Sequence, residues 1–164
     1  MAKTYLLLGG NLGDRLLMLN RAKEMIEKNM GNIIAQSAIY ETSPWGFSHS
    51  NNFYNQLVII ETMKKPQELL ENILEIELNL GRARSEDNKW KEREIDIDIL
   101  FYNDKIINED NLKIPHPYLH QRKFALVPLA ELAADLVHPV FKKNVKRILA
   151  ECKDNSEVKP LKVI

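Results

Sequence analysis

The segment Ile95-Asp96-Ile97-Asp98-Ile99 constrains the chain more than any other. Apolar and acidic residues alternate there with a period of two, which a strand sorts cleanly onto two faces and a helix does not. The isoleucines then face a core, and Asp96 and Asp98 project together from the opposite face, about 6.5 Å apart at Cα. Like charges held that close repel unless a cation lies between them. Magnesium suits such a pair, because it takes one or two carboxylates and completes its shell with phosphate oxygens and water. The residues alone leave a second reading open, a solvated strand face.

Apolar period and turn residues lay out the remaining elements. Tyr5-Leu6-Leu7-Leu8 reads as a buried strand closed by Gly9-Gly10. Asp14 is placed to cap a helix whose stripe runs Leu12, Leu16, Leu19, Lys23, Ile26 and Met30, with Gly31 as its stop. Residues 33–40 and 53–62 have strand character, and 41–52 read as a loop. Pro66 opens a second helix with the stripe Leu69, Ile73, Ile76 and Leu80, ended by Gly81. Residues 82–94 read as a long exposed loop. The alternating strand continues to Phe101 on the isoleucine side, and a turn at Asn103-Asp104 leads to a short strand over 105–107. Helices are expected over about 121–134 and 144–151, with a loose tail after Lys153. Some strands follow one another directly, which favours a compact α+β sandwich over a doubly wound sheet.

A chain of 164 residues, 45% hydrophobic and 28% charged, has the composition of one soluble domain spanning 1–164. Lys and Arg total 23 and Asp and Glu total 23, a balance that argues against nucleic acid as the main partner. The longest apolar run is four residues, as in Leu57 to Ile60, against the roughly 20 of a membrane-spanning helix. The opening Met1-Ala2-Lys3-Thr4 carries no signal-peptide apolar region. Cys152 is the one cysteine, so an internal disulfide and a Cys-rich zinc site are excluded. The expectation is a cytoplasmic protein with no membrane partner.

Several segments carry candidate chemistry. The loop before the aspartate strand holds Arg82, Arg84, Lys89, Lys91 and Arg93 among four acids. Arginine recognises phosphate through a rigid fork of donors, so this loop suits a phosphate clamp. Trp90 has charged neighbours and no local core to join, which suits packing on a ligand. Gly9-Gly10-Asn11-Leu12-Gly13 lies between a strand and a helix but fits no nucleotide-binding glycine motif, and reads as a structural turn. Phe53 and Asn55 share a strand face, and the residues alone leave two readings: a core phenylalanine with a turn asparagine, or an aromatic plate beside an amide able to read a heterocycle edge. His116 sits in the extended segment Pro115-His116-Pro117. No pattern of a covalent nucleophile is present.

Taken in order, Arg82-Ala83-Arg84, Trp90, Arg93, Asp96-Ile97-Asp98-Ile99-Leu100, Pro115-His116-Pro117 and Arg122-Lys123-Phe124-Ala125-Leu126 resemble the 6-hydroxymethyl-7,8-dihydropterin pyrophosphokinase family. The stretches Gly9 to Asp14, Tyr40 to Gly46 and Phe53-Tyr54-Asn55 fit as well, so the likeness is collinear over about residues 5–140. It departs at Lys91-Glu92, where the family often has Gly-Pro. The resemblance implies an α+β sandwich with a central, largely antiparallel sheet flanked by helices. It also implies magnesium-dependent transfer of diphosphate from ATP to the pterin hydroxymethyl group, giving AMP and the pterin diphosphate on the route to folate. Two magnesium ions would be bound with ATP by Asp96 and Asp98, and Arg82 and Arg93 would steady the phosphates. Glu77, Ile99, His116, Arg122 and Tyr118 would bind ATP, and Arg84 with Trp90 would belong to the closing loop. Phe53 and Phe124 would sandwich the pterin, Asn55 would hydrogen-bond its edge, and Thr42, Ser43 and Trp45 would line its pocket. A monomer is the family-based expectation. Two other readings remain: a magnesium-dependent kinase or nucleotidyl transferase using the same aspartates, and a non-catalytic binding module.

Overall fold

The computed structural model describes residues 1–43, 52–81 and 95–162. Its strands are β1 (Ala2–Gly10), β2 (Asn32–Gln36), β3 (Tyr40–Thr42), β4 (Phe53–Thr62), β5 (Asp96–Tyr102), β6 (Ile107–Glu109), β7 (Leu112–Ile114) and β8 (Val158–Pro160). Its helices are α1 (Arg15–Asn29), α2 (Pro66–Asn79), α3 (Lys123–Ala133) and α4 (Val145–Glu151). The main sheet runs β5-β1-β4-β3-β8, with β2 also on β4, and every pairing among the described residues is antiparallel. The sandwich is therefore α+β, as the sequence and the resemblance both imply.

β1 is buried on both faces because both are covered. Leu6 and Leu8 pack with Leu19, Ala22 and Ile26 of α1 and Leu69, Ile73 and Ile76 of α2. Tyr5 and Leu7 pack with Ala125, Leu126 and Leu129 of α3 and Val145 and Ile148 of α4. Asp14 Oδ1 accepts the Leu17 N–H at 3.1 Å and caps α1. Gly31 follows α1 where a Cβ would stand 2.3 Å from the Glu61 carbonyl oxygen, so only glycine lets the chain turn so close to β4.

Ile95, Ile97 and Ile99 face the α1/α2 core, as the alternation predicts. Phe101 does not follow them. Leu6 pairs with Ile99 and Tyr5 with Phe101, so Leu100 is the extra residue of a β-bulge. The bulge turns Leu100 and Phe101 both into the α3/α4 core. The face carrying Asp96 and Asp98 is thus a core face farther along, not a wholly solvated one.

Other differences lie in short polar segments. The strand expected over 33–40 ends at Gln36, and a separate strand, Tyr40–Thr42, begins at its expected last residue and runs into the expected loop. The short strand expected over 105–107 lies instead at Ile107–Glu109, paired with Leu112–Ile114. The tail expected to be loose forms β8 on β3. Leu16, placed in the α1 stripe, is 38% exposed, and Ala22 takes the inward position.

Candidate active site

β5, β1, β4 and β3 bring one row of residues together across the α3 face of the sheet. Tyr40 pairs with Asn55, Asn55 with Gly9, and Gly9 with Asp96. One step along, Leu57 pairs with Leu7 and Leu7 with Asp98. Thr42 pairs with Phe53 at the opposite corner. Directly paired residues share a face, so the acids, the amide and the ring line one surface.

Gly9 makes that surface possible. A Cβ there would stand 2.2 Å from Asn55 Oδ1 and 3.2 Å from its Cγ. The buried Asn55 side chain therefore lies across the bare backbone of Gly9, towards the strand of Asp96. The sequence reading treats Gly9-Gly10 as a closing turn, whereas both glycines belong to β1. The available signal was their place in the strand alternation, where Gly9 follows Tyr5 and Leu7 on one face.

Asp96 and Asp98 are half-buried at one border of the sheet. Between them, the Ile97 N–H donates to Glu77 Oε2 at 2.8 Å. Glu77, at the end of α2, is 2% exposed and so fastens the outer edge of the aspartate strand. The described residues contain no group of three or more Asp, Glu, His or Cys able to hold a metal. Two carboxylates on one face form a donor set that suits Mg2+ with phosphate and water, not a four-ligand structural zinc site.

His116 stands beside this pair. Its N–H donates to the Leu100 carbonyl at 3.1 Å, which ties it to β5. Its Nδ1 accepts the Tyr118 N–H at 3.2 Å, which leaves the neutral ring's proton on Nε2. Burial and the nearby Arg122 charge push its pKa down to about 4, against an opposing pull from Asp96. The ring is therefore neutral near pH 7 and presents an N–H donor. The Arg122 guanidinium lies 5.5 Å from the Tyr118 ring centre and 5.6 Å from that of Phe124. Arg122 thereby joins the residues expected for ATP to one expected for the pterin.

The remaining expected residues divide by position. Thr42 is buried and Ser43 exposed. The Ile99 side chain lies in the α1/α2 core, so only its main chain can meet a ligand on the other face. Trp45, Arg82, Arg84, Trp90 and Arg93 lie outside the described residues. One further residue escaped sequence reasoning. Glu131 of α3 accepts the Tyr40 hydroxyl at 2.7 Å and the Ala38 N–H at 3.1 Å, fixing the helix over β3. Burial and this carboxylate push the Tyr40 pKa up to about 12.

The sequence profile of the 7,8-dihydro-6-hydroxymethylpterin-pyrophosphokinase family matches residues 5–134. The chain belongs to this family. A 2-amino-4-hydroxy-6-hydroxymethyldihydropteridine pyrophosphokinase of Aquifex aeolicus is 41% identical over 160 residues, covering 98% of this chain and 96% of the relative. One of Methylorubrum extorquens is 44% identical over 138 residues, covering 84% and 86%. The crystal structure of Plasmodium falciparum HPPK-DHPS superposes with a TM-score of 0.75 at 21% identity, a likeness of fold. That match covers 92% of this chain and 44% of the other. The activity of this pyrophosphokinase is transfer of diphosphate from ATP to the hydroxymethyl group of 6-hydroxymethyl-7,8-dihydropterin. The products are AMP and the pterin diphosphate, in folate biosynthesis.

Proposed function

We propose that the row Asn55, Gly9 and Asp96 is the meeting line of the two substrates in this pyrophosphokinase. The reading is carried by the space that Gly9 leaves for the Asn55 amide between β4 and the aspartate strand. Asn55 reads the polar edge of the pterin, Phe53 and Phe124 stack on its faces, and Thr42, Ser43 and Trp45 complete the pocket. Stacking and an amide edge suit a flat, polar heterocycle. ATP lies along β5, held by His116, Tyr118, Arg122, Glu77 and the main chain of Ile99. The hydroxymethyl oxygen attacks the β-phosphorus and releases its proton to the medium, the bond from the β-phosphorus to the α–β bridging oxygen breaks, and AMP leaves with that oxygen.

In this reading Asp96 and Asp98 hold two magnesium ions with the ATP phosphates. When bound, magnesium neutralises phosphate charge and aligns the diphosphate with its acceptor. The neutral His116 donates its Nε2 proton in a hydrogen bond to a phosphate oxygen, and Arg122 supplies positive charge beside it. Arg82 and Arg93 hold the transferring group, and Arg84 and Trp90 close over ATP, which excludes water as a competing acceptor. We further propose that the enzyme works as a single domain over 1–164, as a monomer in the cytoplasm.

The test is a product assay with ATP, Mg2+ and reduced 6-hydroxymethylpterin, repeated with Asp96→Asn, Asp98→Asn and Asn55→Ala. Equal amounts of AMP and pterin diphosphate, lost on chelation, are expected. The aspartate variants should lower kcat, and the Asn55 variant should raise the KM for pterin above all. A wild-type KM for pterin in Asn55→Ala would sink the site assignment.

A further inference from the structure

The end of the chain is built into the site that the sequence reading leaves it out of. From Cys152 to Val158 the even-numbered residues are half-buried and the odd-numbered ones exposed, the pattern of an extended strap lying on a surface. Its first anchor is Asp154. Asp154 Oδ2 accepts the Lys123 N–H at 3.1 Å, while Oδ1 accepts the Ser156 N–H at 3.0 Å and the Ser156 hydroxyl. Lys123 is the first residue of α3, whose own N-cap, Arg122, makes no side-chain capping bond, and no acid lies in the first turn. Asp154 thus supplies from a distance both the acceptor and the negative charge that a helix start favours.

The second anchor is β8. Val158 pairs with Thr42, Lys159 with Glu41 and Pro160 with Tyr40, and the Leu161 N–H donates to the Ile39 carbonyl at 2.7 Å. β3 is only three residues long and would be an outer strand without this partner. β8 also packs against α3. The strap therefore joins the start of α3, where Arg122 and Phe124 flank Lys123, to the strand that carries Thr42. It lies beyond residue 134, where the family profile stops.

We propose that residues 154–161 set the spacing between the two walls of the pterin site, with Asp154 as a positioning residue for Phe124. The proposal rests on the site assignment made above. The same β3 is held to the far end of α3 by Glu131, so the strap adds its control at the near end, where the substrates meet.

Four variants test it: Asp154→Ala, Asp154→Asn, a chain ended after Lys153, and Asn55→Ala as a control on the site itself. The readouts are the KM values for pterin and ATP, kcat, and the melting temperature. Asp154→Ala should raise the pterin KM about tenfold, with the ATP KM within about twofold. The shortened chain should raise it further, and Asp154→Asn, which keeps an acceptor, should recover most of the loss. A folded Asp154→Ala with an unchanged pterin KM, while Asn55→Ala raises it, overturns the strap and leaves the site standing. Equal rises in both KM values that track a falling melting temperature also overturn it, since they mark a merely structural role. An unchanged KM in Asn55→Ala overturns the site assignment and the strap with it. If the shortened chain does not fold, the point variants decide.

Discussion

The two faces of the central sheet are covered differently. On one face, α1 with 15 residues and α2 with 14 lie over strands whose inward residues are apolar along most of their length. On the other, α3 has 11 residues and α4 seven. At 1.5 Å per residue these helices reach about 16 and 10 Å, against about 33 Å for the ten residues of β4. The same face also presents Asn55, Gly9, Asp96 and Asp98. The candidate site is thus a polar continuation of a core surface, with Asn55 buried and Asp96 and Asp98 half-buried.

The largest effect should come from the polar half. Asp96→Asn or Asp98→Asn should lower kcat by on the order of 10²–10³, while thermal melting shows the fold intact. The apolar half should behave in the opposite way. Phe101→Ala empties a fully buried site on that face and should cost about 3–5 kcal/mol in urea unfolding, with kcat little changed below the transition. Between the halves, Gly9→Ala should push the Asn55 amide aside and lower kcat/KM for pterin by about 10- to 100-fold, with a small loss of stability.

The smallest effect concerns acid. Two histidines on the second face titrate low: His116, and His138, whose pKa burial and the nearby His120 push down to about 4. His138 packs edge-on to Phe101, and its Nδ1 accepts the Val140 and Phe141 N–H groups at 3.2 and 3.1 Å. Both rings are neutral in the fold, and the unfolded chain takes up their protons first. Their contribution is therefore complete above about pH 6.5 and is lost as pH falls towards 4. His138→Asn keeps an acceptor for the two N–H groups, so urea midpoints measured across that window should show a shallower slope.

The legible parts were those where one residue type decides one face. β1, β4 and β5 carry apolar runs or alternation, and Asp96 and Asp98 stand out because isoleucines flank them. What stayed hidden depends on partners far along the chain. Leu100 and Phe101 look like ordinary alternation until the register with Tyr5 and Leu6 shows the bulge. β3 and β8 are three residues each, and their inward residues are partly polar, so neither gives a hydrophobic period. Glu131 and Asp154 find their acceptor roles 93 and 31 positions away, a distance at which charge alone gives no cue. Glu77 sits on α2 among apolar neighbours, and the resemblance, not its spacing, singled it out.

Among the described residues the aspartate strand is also a border of the sheet, and an unpaired border invites another molecule to add a strand. Here the Ile97 N–H is already spent on Glu77, which removes a donor that an incoming chain would need. A second copy pairing there would also bring its own acids against Asp96 and Asp98, and like charges set opposite one another destabilise a ladder. The two acids and the Glu77 bond thus both count against strand addition at this edge, so neutralising the acids should lower solubility, read as the concentration at which the protein begins to scatter light.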